Sequence, residues 1–136
     1  MGKGILLEIV TPDRMLVSEE AEDITAPGFC GEFGVLPGHT PFLTTLNPGE
    51  ISYKTASGNR KYLSISWGYA EVRPDKVIIL ANAAEKSEEI DIVRAQNSFK
   101  RAEERLKTRA SDIDVERAEL ALARALARIQ VAERMK

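Results

Sequence analysis

The sequence predicts a mainly β head followed by an α tail: an antiparallel β-sandwich of about ten strands, then a C-terminal antiparallel two-helix hairpin. Two observations predict this class. All nine glycines and all six prolines precede residue 75, and these residues mark turns and interrupt helices. The apolar residues then change from the short runs of strands to the 3.6-residue period of helices. We therefore place the head at residues 1–86 and the tail at residues 87–136.

The head consists of short apolar runs separated by turn residues. Partial alternation between Gly49 and Arg73, with Ser57-Gly58-Asn59 at a hairpin-turn position, favours antiparallel pairing. Seven of the eight aromatic residues lie in this part of the chain, as expected for a sheet core. Short strands at regular spacing, with no helix between them, are typical of a sandwich or a barrel. The runs that mark strands are Ile5–Val10, Met15–Val17, Phe42–Leu46 and Val77–Ala81.

The tail shows a helical period on two consecutive segments. Its apolar positions step by three and four residues and so form an a/d seam on each helix, with a polar break at 108–112. Ser111 and Asp114 match a capping box at the second helix start, and a short link favours an antiparallel hairpin. Five seam positions are alanine, which buries little area, so we expect the hairpin to open easily. The seam comprises Ile92, Ala95, Phe99, Ala102, Leu106, Val115, Ala118, Leu122, Ala125, Ile129 and Ala132.

The composition argues against several classes of function. A net charge of −2 gives no electrostatic reason to expect nucleic-acid binding, and no apolar run approaches the roughly 18–20 residues of a membrane span. Cys30 is the single cysteine, so we expect no internal disulfide and a buried or half-buried position for this side chain. One histidine, one cysteine and no nucleophile motif argue against a catalytic triad or a metal site. We expect a soluble, intracellular protein, unless a partner holds it at a membrane.

The segment Gly31–Pro41 contains three glycines and two prolines, which together impose a tight backbone path. Chemistry alone favours a structural turn in which His39 is simply a polar residue. The functional alternative is a rigid loop that presents Glu32 and His39 to a partner. A small enzyme that uses this pair as acid and base is a poorer hypothesis, because no nucleophile, metal set or second base accompanies them.

Six arginines flank one side of the apolar seam of the tail, at heptad positions c and g. If the chain turns near Ala110–Ser111, antiparallel pairing brings four of them together near the open end of the hairpin. A cluster of guanidiniums with little acid among them suits a polyphosphate. The alternative is a solvated charged face supported by pairs such as Glu104 with Arg101 and Arg105. The six are Arg94, Arg101, Arg105, Arg117, Arg124 and Arg128, of which Arg94, Arg101, Arg124 and Arg128 converge.

The Gly31–Pro41 loop and the β-head-then-hairpin layout resemble the epsilon subunit of the F-type, proton-translocating ATP synthase. The resemblance covers essentially the whole chain. Asn47-Pro48-Gly49, Trp67–Val72 and Val77–Ala81 are similar to strands and turns of that family. Ile90–Ala95 matches the pattern I-D-x-x-R-A, which is associated with ATP binding in some members.

This resemblance implies a ten-stranded β-sandwich with a helical hairpin, in a non-catalytic rotor subunit of the central stalk. It implies binding to the gamma subunit and to the ring of c subunits, with Glu32 and His39 at the contact loops. The tail is implied to fold against the head or to extend toward the catalytic alpha–beta hexamer, where it inhibits ATP hydrolysis. The implied location is the cytoplasmic face of the bacterial inner membrane, or its plastid stromal equivalent, reached through the complex.

The resemblance also implies a regulatory ligand. No cofactor is required, but in members that bind ATP the nucleotide favours the folded tail. The arginine cluster inferred above from spacing agrees with this site. The alternative function is a stand-alone ATP-binding sensor domain. Matched residue by residue, the implied ATP site comprises Glu85, Ile90, Asp91, Arg94, Ala95, Arg101, Arg124 and Arg128.

Overall fold

The computed structural model describes residues 4–108 and 114–134. Within them, strands occupy the head and helices occupy the tail, which confirms the predicted fold class. The short 3₁₀ turn Ser87–Glu89 follows the last strand and leads into the first helix. The strands are β1 (Ile5–Val10), β2 (Met15–Gly28), β3 (Gly31–Val35), β4 (Phe42–Leu46), β5 (Gly49–Thr55), β6 (Arg60–Val72) and β7 (Lys76–Lys86); the helices are α1 (Ile92–Thr108) and α2 (Val115–Glu133).

The strand pairings of the head close on themselves. β1 pairs with β2, β2 with β5, β5 with β6, β6 with β7, and β7 returns to β1. β3 and β4 extend this circuit by pairing with β2 and β6. The pairings are antiparallel except for β1 with β7, which is parallel and departs from the purely antiparallel expectation.

Three strands are long, and for this reason the described residues contain seven strands where the sequence suggested about ten. β2, β6 and β7 span 14, 13 and 11 residues, and each pairs with different neighbours along its length. In β6 the partner changes from β5 to β4 around Trp67, which has a φ of 62°. In β2 the register shifts between Ala21 and Asp23. A bulge or a single unusual residue redirects a strand without a Gly–Pro turn, so turn signals alone could not locate these changes of partner.

Alternate residues of the strands point inward and form one hydrophobic core. On β1, for example, Ile5, Leu7 and Ile9 are fully buried. Packing is tight at Gly68, where a Cβ would overlap the carbonyl oxygen of Leu80. The expectation of a buried or half-buried Cys30 was wrong, since this residue lies exposed in the turn between β2 and β3.

The tail forms two helices that carry the predicted seam. All five seam alanines are buried. Asp114 caps α2 by accepting a hydrogen bond from the amide of Arg117 at 3.0 Å, whereas the predicted Ser111 cap partner and the turn at Ala110–Ser111 lie outside the described residues. Val115 differs from the seam prediction, because it is exposed at the start of α2.

Helix α2 has a second buried face that the seam did not predict. Ala127 and Val131 are buried although neither is a seam position. They are buried because α2 packs against β5 and β6 as well as against α1. Within residues 4–108 and 114–134, no helix has both the length and the hydrophobicity needed to cross a lipid bilayer.

Candidate functional site

A cleft of about 590 Å³ lies between the helical hairpin and the outer surface of strands β6 and β7. Its floor comes from the strands and its walls come from both helices. Small side chains, serine and alanine, form most of the floor and the inner walls, which leaves room for a ligand. The residues that line the cleft include Ser64, Ser66, Ala83, Glu85, Arg94, Ser98, Arg101, Arg105, Arg124 and Arg128.

Five arginines line this cleft. Their spacings of seven and four residues place them on one face of each helix, as the heptad analysis predicted. The four arginines predicted to converge are among these lining residues; Arg105, which was not in that set, lines the cleft as well, and Arg117 does not. Arg117 lies in the first turn of α2, seven residues or roughly 10 Å along the axis from Arg124. The five are Arg94, Arg101 and Arg105 from α1, and Arg124 and Arg128 from α2.

One carboxylate lies among these guanidiniums. Glu85 of β7 accepts a hydrogen bond from Nε of Arg128 at 2.7 Å and a longer one from Nη2 at 3.4 Å. Arg101 donates from Nη2 to the hydroxyl of Ser98 at 3.2 Å. Because five cations face one anion among the described lining residues, this part of the cleft has a positive excess and suits an anionic ligand with several oxygens.

The floor of the cleft depends on strand register. Ser64 pairs with Glu85, and Ser66 pairs with Ala83, so all four side chains share the outer face of β6 and β7. The two serine hydroxyls can donate to and accept from a ligand. Sequence analysis missed these serines and Ser98, because nothing local distinguishes them from other surface serines.

Three residues of the I-D-x-x-R-A motif do not line the cleft but support its edge. Ile90 is buried and packs against Val131. Asp91 starts α1, since its carboxylate accepts a hydrogen bond from the amide of Arg94 at 3.0 Å and its carbonyl accepts one from the amide of Ala95 at 3.0 Å. Ala95 is fully buried. The motif therefore fixes the direction of α1 and points Arg94 into the cleft. The structure thus gathers Glu85, Arg94, Arg101, Arg124 and Arg128 around the cleft and leaves Ile90, Asp91 and Ala95 outside its lining.

The two residues predicted to contact partners lie in different surroundings. Glu32 is exposed on β3 and lines a shallow surface cleft together with Gln130 and Glu133 of α2. His39 donates from Nδ1 to the carbonyl of Thr40 at 2.6 Å, and its ring centroid lies 5.4 Å from that of Phe42. No hydrogen bond joins Glu32 and His39 in the described part of the chain, which argues against an acid–base pair.

The head also presents an outer apolar face, which sequence analysis missed. We define it by Phe29, Leu43, Tyr69 and Leu80, which are between 52 and 71% exposed. Tyr69 is the cross-strand partner of both Thr45 and Leu80, and Leu43 lies two residues from Thr45, so these side chains share one face of the sheet. Exposed apolar patches of this kind mark interaction surfaces. The alternation of the strands does not reveal it, since apolar residues occur here on both faces.

These features define a β-sandwich protein with a docked helical hairpin, a cationic cleft between the two and an exposed face for a partner. Two family models match the chain in that order. Residues 5–87 match "ATP synthase, Delta/Epsilon chain, beta-sandwich domain". Residues 88–133 match "ATP synthase, Delta/Epsilon chain, long alpha-helix domain". The chain belongs to the delta/epsilon family of ATP synthase subunits, and it is a non-catalytic subunit of that complex.

Individual relatives agree with this assignment. The chain is 48% identical over 133 residues to an ATP synthase epsilon chain of Desulforapulum autotrophicum, with 98% of each chain covered. A chain in the Euglena gracilis mitochondrial ATP synthase structure (OSCP/F1/c-ring, rotational state 1) is 26% identical with a TM-score of 0.83, covering 96% of this chain and 82% of that one. A chain in the Tetrahymena thermophila mitochondrial ATP synthase central stalk and c-ring structure shares the fold, with a TM-score of 0.57 and 16% identity. The match covers 97% of this chain and 96% of that one.

Proposed function

We propose that this chain is a central-stalk subunit that couples gamma to the c ring and restrains ATP hydrolysis through its mobile hairpin. The observation that carries the regulatory part is the cationic cleft, because it is built jointly from the head and from both helices. A ligand there touches all three and therefore favours the folded hairpin over any state in which the helices leave the head.

The coupling role rests on the head. Its outer apolar face is an exposed apolar patch of the kind that marks a protein contact, and we assign this face to gamma. The family resemblance places Glu32 and His39 at loops that contact gamma or the c ring, and with the apolar face assigned to gamma we assign these two residues to the c ring. The chain would reach the cytoplasmic face of the bacterial inner membrane through these partners. When extended, the arginines of the tail would face acidic surface on the alpha–beta hexamer.

The regulatory ligand that fits the cleft is ATP. Its triphosphate presents several anionic oxygens to the five arginines, and it would compete with Glu85 for Arg128. A ligand at 100 times its dissociation constant stabilises the state that it binds by about 2.7 kcal/mol. That is enough to shift a hairpin held by an alanine seam from mostly open to mostly folded.

Calorimetric titration of ATP into the isolated chain tests the site. We expect Arg128→Ala to weaken binding at least tenfold, since a hydrogen bond to a charged group contributes about 1.5–3 kcal/mol. Arg117→Ala is the matched control, because Arg117 lies on the same helix outside the cleft. Absence of heat for the unmodified chain at millimolar ATP, or equal weakening by the two variants, would reject the nucleotide site.

Truncation after Lys86 tests the regulatory role in the assembled complex. The main hydrophobic core contains only residues of the head, so the shortened chain should fold and still bind gamma. We expect latent ATPase activity of the complex to rise when the hairpin is absent. An unchanged ATPase activity with normal assembly would contradict inhibition by the tail.

The stand-alone sensor remains the second candidate, and one observation favours it: the cleft is complete within a single chain. A sensor gives no role to the outer apolar face. Purification of the chain from its own cells separates the two functions, because a stalk subunit brings gamma and the c ring with it and a sensor comes alone.

A further inference from the structure

The C-terminal end of α2 is fastened to the head at a point outside the cleft. Arg134 follows α2 and donates from Nε and Nη2 to the two carboxylate oxygens of Glu50 at 3.0 and 3.2 Å. Its guanidinium also lies 5.1 Å from the centre of the Tyr62 ring. Glu50 and Tyr62 belong to β5 and β6, so one side chain joins the helix end to two strands.

An apolar cluster lies beneath this contact. Val131 and Ala132 of α2 are buried against Ile90, with Tyr62 and Ile92 packed around them. This cluster is separate from the core of the head. It joins three segments: strand β6, the link into α1, and the last turns of α2. Separation of the hairpin from the head must therefore break both the cluster and the Arg134 contacts.

Two ion pairs attach α2 to the head, Arg128 with Glu85 and Arg134 with Glu50. A ligand in the cleft acts on them differently. Arg128 and Arg134 are six residues apart, which is roughly 9 Å along a helix. An anion in the cleft competes with Glu85 for Arg128, but Glu50, Tyr62 and Arg134 do not line the cleft. The contact at Arg134 therefore holds the helix whether or not the cleft is filled.

We propose that Glu50, Tyr62 and Arg134 form a latch that raises the fraction of hairpin folded without nucleotide and so helps to set the ATP concentration at which the hairpin closes. This rests on the proposed function only in assuming that the hairpin opens. The fraction of hairpin that is folded without ligand multiplies the apparent affinity for ATP. A weaker latch thus gives weaker apparent ATP binding, although no residue of the cleft has changed.

Hydrogen exchange of the isolated, full-length chain without nucleotide tests the latch. Most of the stability of a helix in a protein comes from its packing, so the amides of α2 should exchange faster when the hairpin leaves the head. We expect Arg134→Ala and Glu50→Gln each to speed exchange in the last turns of α2 about fivefold, with the double variant close to either single one. Arg73→Ala is the matched control, because Arg73 is also half-exposed and also forms a surface ion pair, with Glu71.

The charge-reversed pair Glu50→Arg with Arg134→Glu should restore much of the protection, since the ion pair is re-formed. Unchanged exchange in Arg134→Ala, equal acceleration in Arg73→Ala, or full additivity of the two single variants would overturn the latch. These exchange measurements need no ATP, so they test the latch even if the ATP titration detects no binding. If α2 in the unmodified chain exchanges only by global unfolding, the mobile hairpin itself is refuted, and the latch with it.

Discussion

Truncation of Val131 to alanine should release the hairpin while leaving the head intact. Val131 is fully buried on the face of α2 that meets the head. It packs with Ile90 and Ala132 in the small cluster that is separate from the main core. Alanine has a higher helix propensity than valine. The substitution therefore weakens the packing of α2 against the head and not the helix itself.

The expected magnitude follows from burial. Complete burial of a valine side chain contributes about 1.5–3 kcal/mol, and the alanine variant lacks both γ-methyl groups and keeps only the Cβ. A void adds to that loss when the surroundings cannot collapse. We therefore expect the docked state to lose about 2 kcal/mol, which is roughly a 30-fold increase in the open fraction. ATP at 100 times its dissociation constant supplies about 2.7 kcal/mol and should close the hairpin again.

Brief trypsin digestion reports the open fraction, because cleavage after the arginines of α2 requires the helix to leave the head and unwind locally. Mass spectrometry of the first products distinguishes cleavage in the tail from cleavage in the head. Leu126→Ala is the control, since Leu126 lies on the same helix but is 42% exposed. The reasoning is refuted if Val131→Ala and Leu126→Ala are cut at the same rate, or if the first cuts of Val131→Ala fall in the head.

Two further predictions concern the head. Gly68→Ala should destabilise the head by about 1–3 kcal/mol in denaturant titrations, since the new Cβ meets the Leu80 carbonyl in a closely packed sheet. Gly34→Ala is the control and should be nearly neutral, because the nearest atom to its Cβ, the Ile24 carbonyl oxygen, lies 3.9 Å away. Equal losses of stability in the two variants would contradict this packing. The Tyr53 hydroxyl donates a hydrogen bond to Glu19 at 2.6 Å and lowers the pKa of that carboxyl. The stability that this hydrogen bond contributes is therefore present above the ordinary carboxyl pKa of 4.5 and is lost as the pH falls through the lowered pKa. Tyr53→Phe should raise the pKa of Glu19 in an NMR titration, and the stability difference between the two proteins should narrow in acid; an unmoved pKa would show that the hydrogen bond is not its cause.

The helical half of the site was predictable because its information is local. Residues three, four and seven apart on a helix share a face wherever the helix lies. The burial of Ala95 and Ala118 therefore follows from spacing, and the convergence of Arg94 with Arg128 follows from spacing together with the expected antiparallel hairpin. Arg105 shows the limit, because it lines the cleft although it was not among the four arginines predicted to converge. Spacing gives the face of the helix but not how far the cleft extends along it.

The strand half was not predictable, because it depends on register between distant segments. Ser64 meets Glu85 only through the pairing of β6 with β7. The same limit hid the outer apolar face, where Tyr69 and Leu80 meet across two strands. The contact between Arg134 and Glu50 likewise joins residues 84 positions apart. Propensity and turn chemistry describe each strand separately and contain no information on such pairs.

The parallel pairing of β1 with β7 has a consequence for biosynthesis. β1 can form a hairpin with β2 early, but its other edge stays open until about seventy more residues have been made, because Leu6 pairs with Lys76. The step that completes the head is thus a late, long-range closure, which slows folding. The helices are synthesised afterwards and attach to a surface that already exists. Substitutions in α2 should accordingly change the rate at which the folded chain unfolds and leave the rate at which the head refolds almost unaltered. Stopped-flow kinetics can measure both rates.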